Sequence, residues 1–165
     1  MNWNKNALSY GDSQHHGDNK PTWELRYMKL AQEVSTWSKD PSSKIGAIAI
    51  GSKGQVLAQG YNGFPRGVKD TKERLSIREK KLKYTIHAEM NCIFNATFNG
   101  VSLDNSTMFV YGLPPCSDCA KGITQVGVHT VFMNTILVPD RWKESWELTK
   151  EIFSEGGVKW KCLHV

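Results

Sequence analysis

The chain has 165 residues, 39% of them apolar and 22% charged, the composition of a globular domain large enough to bury a core without disulfide staples. No apolar run approaches the roughly 20 residues that a membrane-spanning helix needs, and the N-terminus lacks the basic, apolar and small-residue order of a secretory signal, so the four cysteines are expected in a reducing cytoplasm. A net charge of +5 suits anionic partners, phosphorylated small molecules and nucleic acid alike.

Residues 1–20 are polar, and Gly11, Asp12, Ser13, Gly17, Asp18 and Asn19 favour turns over helix. They are expected to form a loosely held arm ahead of a single domain over 21–165. Behind Thr22, a candidate N-cap, the residues Trp23, Tyr27, Leu30, Ala31 and Val34 recur every three or four positions, which predicts an amphipathic helix ending before Pro41. Residues 45–50 and 55–60 flank a glycine-rich connection and predict an antiparallel hairpin. Residues 61–68, punctuated by Gly63, Pro65 and Gly67, predict a loop whose backbone can approach another group closely. The densest basic run, 78–83, reads as a solvated helix face, with a phosphate-facing patch as the alternative. Helices are predicted over 87–99, 116–126 and 142–153, strands over 107–111 and 130–134, and an edge strand within 158–165. The sum is an α/β domain with a mixed sheet covered by helices on both faces.

Two short motifs carry chemistry. His87-Ala88-Glu89 precedes Pro114-Pro115-Cys116-Ser117-Asp118-Cys119. One His and two Cys leave a fourth tetrahedral position free for water, the arrangement of a catalytic rather than a structural zinc. Cys116 and Cys119 stand three apart at the start of a predicted helix, on one face and near exposed amides that favour thiolates. Glu89 lies two residues from His87, roughly 200 degrees around an ideal helix, which suits a proton carrier better than a fourth ligand. H-x-E followed by P-C-x-x-C is the signature of zinc nucleobase deaminases, with the Glu as general acid and base. The expected chemistry is therefore removal of an exocyclic amine: Glu89 takes a proton from water, oxygen adds to C4 of cytosine, N3 is protonated, and ammonia leaves. Cys92 and Cys162 read as core residues, and His15, His16, His129 and His164 as surface or packing residues rather than a second zinc site.

Four blocks make the chain similar to the deoxycytidylate deaminase branch of the cytidine deaminase superfamily: residues 40–47 (DPSSKIGA), 60–67 (GYNGFPRG), 87–91 (HAEMN) and 115–121 (PCSDCAK). The resemblance spans about residues 22–155 and implies a three-layer αβα fold on a mixed, roughly five-stranded sheet, one catalytic Zn2+ per chain, and deoxycytidylate (dCMP) as substrate, with dUMP supplied to thymidylate synthesis. It further implies that Asn62 bonds the sugar, that the Ala88 backbone reads the base, and that Arg66 is a phosphate contact, with Arg26 and Lys44 as further candidates. An arginine fork and loop glycines suit an anion physically. Relatives are commonly hexamers regulated by dCTP and dTTP, which implies an effector site at Asn62, Gly63, Arg66 and Asp70, with Mg2+ accompanying a triphosphate, so that Arg66 has two competing roles. Cys92 stands where relatives often carry a small residue.

Four alternatives stay open. The same zinc centre would serve dCTP, free cytidine or adenosine in tRNA, although no basic and aromatic interleaving for a polymer is evident. A non-catalytic zinc module binding a nucleotide is the other class, and it would have no need of Glu89.

Overall fold

The Thr22 hydroxyl accepts the amide of Leu25 at 3.4 Å and caps α1, Trp23–Ser35, which buries Met28, Ala31 and Val34 at helical spacing. The computed structural model describes residues 21–163, so the expected arm over 1–20, with His15 and His16, and His164 lie outside the described residues. The hairpin follows as β1, Gly46–Ile50, and β2, Val56–Tyr61, antiparallel with a register shift between Ala49 and Ile50. Next come α2, Lys72–Ser76, α3, Arg78–Tyr84, and α4, Ala88–Phe98. The second half alternates β3, Thr107–Tyr111, α5, Ser117–Gln125, β4, Thr130–Met133, a 3-10 turn at Asp140–Trp142, α6, Lys143–Glu155, and β5, Lys159–Cys162.

The five strands form one mixed sheet in the order β2-β1-β3-β4-β5. β1 runs antiparallel to both neighbours, whereas β3, β4 and β5 are parallel. Parallel neighbours require crossovers, and α5 and α6 are those crossovers. Alternation along the central strands separates two cores. Ile48, Ile50 and Phe109 pack with α1, while Ala47, Ala49, Met108 and Val110 pack with residues of α4, α5 and α6. The sheet thus carries α1 on one face and the site-bearing helices on the other, as the expected three-layer arrangement requires.

Two glycines set how closely helices seat. At Gly46 a Cβ would stand 2.1 Å from the Ala31 carbonyl oxygen of α1, and at Gly60 it would stand 2.2 Å from the Cys92 amide of α4. Asn91 and Asn95 then donate to the Tyr61 and Gln59 carbonyls, at 2.9 and 2.6 Å, tying α4 to the edge strand β2. Among the described residues no helix is long and apolar enough to cross a membrane.

The basic run departs from a uniformly solvated face. Lys81 turns inward, 5% exposed, because Asp40 accepts from its ammonium at 2.8 Å and Ser42 Oγ at 3.1 Å. A buried ammonium is tolerated only with such partners.

Candidate active site

Two helix N-termini meet at the site. His87 and Cys116 are not inside their helices, as the sequence predicts, but are the N-cap residues of α4 and α5, with extended backbones (ψ 156 and 167) and no side-chain cap bond. The reason is chemical: an N-cap normally spends its side chain on a nearby amide, and here both side chains turn towards each other. Cys116 Sγ stands 3.3 Å from His87 Nδ1 and Cys119 Sγ 3.5 Å from it, and all three donor atoms lie within 4.8 Å of one another.

A tetrahedral ion with bonds of about 2.3 Å to sulfur and 2.0–2.1 Å to nitrogen separates such donors by about 3.5 Å, so the donor set and its spacing fit Zn2+. Of the two sulfurs, Cys116 is the one that favours its thiolate. The Cys119 contact and the His87 imidazole, acting against burial, bring the Cys116 thiol down to about 4. Its hydrogen bond, against burial, raises His87 to about 9. The Cys119 thiol is raised, first by the neighbouring Cys116 sulfur and then by burial. Divalent charge draws protons off such donors.

Glu89 sits in the first turn of α4, 3% exposed, and burial pushes its carboxyl above the usual glutamate range although the His87 charge pulls the other way. A carboxyl raised towards neutrality both takes and returns protons. His87, Glu89 and Cys116 line a cavity of about 350 Å³, with Cys119 buried behind them.

Asn62 and Ala88 line the same cavity. Asn62 is also a latch: its Oδ1 accepts from the Ile45 amide at 2.8 Å and its Nδ2 donates to the Ser43 carbonyl at 2.8 Å, leaving one donor and one acceptor for a ligand. The cationic candidates lie elsewhere. Arg26 is on α1, across the sheet, where its Nε donates to the Pro21 carbonyl and its guanidinium stacks 4.9 Å from the Trp23 ring. Lys44 is exposed and off the lining. Arg66 lies on the outer side of α4, bonded to Asn95 and 5.1 Å from the Phe98 ring centre. With Gly63 and Asp70 it lines a separate cavity of about 330 Å³.

The cavity's own cations are Arg78, Lys81 and Arg141. The 78–83 run signals the first two, but only the tertiary fold brings in Arg141. Ser145 and Trp146, also on the wall, carry no local signal either.

The segment 21–135 matches the family model for the cytidine and deoxycytidylate deaminase zinc-binding region. An uncharacterised deaminase of Aliivibrio fischeri is 34% identical, over 83% of this chain and 90% of that protein. Human deoxycytidylate deaminase is 32% identical, over 84% of this chain and 78% of that protein. The dCMP deaminase of cyanophage S-TIM5, solved with dCMP and dUMP, superposes with a TM-score of 0.70 at 27% identity, covering 88% of this chain and all (100%) of that one.

Proposed function

The chain belongs to the zinc-binding cytidine and deoxycytidylate deaminase family, and from that premise we propose that it hydrolyses dCMP to dUMP and ammonia. The observation that carries the reading is the convergence of a His87-Cys116-Cys119 donor set with the buried carboxyl of Glu89 on one cavity that also holds cationic side chains. Named deoxycytidylate deaminases among the relatives support the same substrate.

His87, Cys116 and Cys119 would hold Zn2+, which supplies Lewis acidity that makes water nucleophilic near neutral pH. Everything else falls to this chain's own groups. Glu89 accepts a proton from the attacking water as its oxygen bonds to C4 of the cytosine, and hands a proton to N3. It then takes the remaining proton from the oxygen now on C4 and delivers it to the amine as the C4–N bond breaks, releasing ammonia and leaving a carbonyl at C4. The Ala88 backbone, at the start of α4, faces the base, and Asn62 offers its remaining donor and acceptor to the sugar. For the phosphate, Arg78, Arg141 and the Lys81–Asp40 pair are the groups on the cavity, and they suit this role better than Arg66, Arg26 or Lys44. The test is ammonia release by zinc-loaded protein from dCMP, dCTP, deoxycytidine and a cytosine oligonucleotide. The reading expects dCMP to be preferred, whereas preferred turnover of dCTP or deoxycytidine would refute the substrate assignment.

A second cavity supports regulation by dCTP and dTTP. Gly63, Arg66 and Asp70 share it, with Asp70 held by Lys39 at 2.6 Å. A triphosphate there would meet Arg66 directly and the Asp70 carboxylate through an accompanying Mg2+. Phe94 and the 77% exposed Phe98 border the same face and offer apolar surface for a homo-oligomer. Effector response and sedimentation of an Arg66→Ala variant test both points: retained regulation would count against this site.

A further inference from the structure

Cys116 faces a conflict of duties. As N-cap of α5 it would normally satisfy a free amide of the first turn, but its sulfur is turned to His87. One hydroxyl of α6 takes up a first-turn amide instead, and a second holds the peptide before Cys116. Ser145 Oγ accepts the Ser117 amide at 2.9 Å and donates to Ser117 Oγ at 3.1 Å. One turn later, Thr149 Oγ1 donates to the Pro115 carbonyl at 3.0 Å. Thr149 is completely buried (0%), so that carbonyl has no water to replace the bond. The two bonds therefore bracket Cys116, one on the peptide before it and one on the peptide after it. Both come from a helix lying beyond the segment that matches the family model, 21–135.

We propose that Ser145 and Thr149 are positioning residues for the metal-binding sulfur of Cys116, a role that rests on the zinc reading of the site. Ser and Thr four apart on α6 share a face, and the loop they clamp has Pro114-Pro115 on one side and a helix start on the other. With both bonds present, the peptides on either side of Cys116 are held, and with them the Cα–Cβ bond that carries the sulfur. Without them, the Pro115 carbonyl and Ser117 amide seek new partners and the sulfur moves with the peptides. Outer groups that orient metal ligands in this way are typically worth 10–100-fold in metal affinity.

The test uses full-length protein and three variants: Ser145→Ala, Thr149→Val, and Thr149→Ser, which keeps the hydroxyl. Zinc affinity is measured against a competing chelator, and the thiolate-to-cobalt absorption of Co2+-loaded protein reports donor geometry independently of turnover. Ser145→Ala and Thr149→Val are expected to weaken zinc on the order of 10–100-fold and to shift the cobalt band, with kcat falling more than KM rises, while Thr149→Ser restores all three. Half-exposed Ser145 keeps the test available if Thr149→Val does not fold. Variants with a lowered Tm but wild-type zinc affinity and cobalt spectrum would overturn the inference alone. Wild-type protein that takes up no zinc would overturn it together with the metal reading.

Discussion

Gly60 lies so close to Ala88 that a Cβ on the glycine would stand 2.5 Å from the Ala88 carbonyl oxygen. The contact seats the first turn of α4 directly on β2, and that turn carries His87 at its cap and Glu89 inside it. Gly60→Ala must push the helix away, so we expect a loss of roughly 2–3 kcal/mol in stability and a larger fall in kcat than in overall fold content. Chemical denaturation and steady-state kinetics on one preparation check this. A variant with wild-type stability and activity would show that the seating is not needed.

The buried pair between Lys81 and Asp40 makes stability depend on pH. Burial alone would raise the Asp40 carboxyl, but the Lys81 ammonium and the amides of Ser42 and Ser43 bring it below its ordinary 3.8. A carboxyl lowered by folding contributes stability that is present above that ordinary value and is lost as pH falls through its folded one. Asp40→Asn leaves a buried ammonium without its counter-charge and should cost about 3–5 kcal/mol at neutral pH. The gap between wild type and variant should narrow below about pH 4. Denaturation curves from pH 7 to pH 3 measure it, and a gap constant over that range would refute the assignment.

Arg78 and Arg141 share the cavity with Glu89 from two elements far apart in sequence. If they hold the substrate phosphate, Arg141→Ala and Arg78→Ala should each raise KM for dCMP on the order of tenfold, since a hydrogen bond to a charged group contributes about 1.5–3 kcal/mol. Turnover of deoxycytidine, which has no phosphate, should be unaffected. An equal loss for both substrates would assign these arginines to structure.

Local spacing makes the chemical centre readable in the chain itself. His87 and Glu89 are two apart, Cys116 and Cys119 three apart, and helix geometry turns those intervals into one metal-facing set and one separate carboxyl. The short apolar runs at 46–50 and 107–111 likewise read as strands, and their burial at nearly every position makes them the central ones. The cavity wall opposite is a different matter. Ser145 reaches it through the packing of α6 on α5 and Arg141 from the 3-10 turn that leads into α6, and no interval along the chain encodes that meeting. Arg66 shows the converse: a Gly-Phe-Pro-Arg-Gly loop suits an anion wherever it lies, and its composition does not state on which side of α4 it falls. The structure sets its guanidinium against Phe98, outside the metal cavity. Lys81 sits in a run that reads as solvated because Asp40, its partner, is 41 positions away.

The central claim is that Glu89 moves protons while His87, Cys116 and Cys119 hold the metal. Its most direct test is a single preparation of Glu89→Gln, analysed for zinc content and for ammonia release from dCMP beside wild type. The account predicts one zinc per chain in both proteins and a fall in kcat of about 10²–10⁴-fold in the variant. Full activity in a zinc-replete Glu89→Gln protein would contradict it.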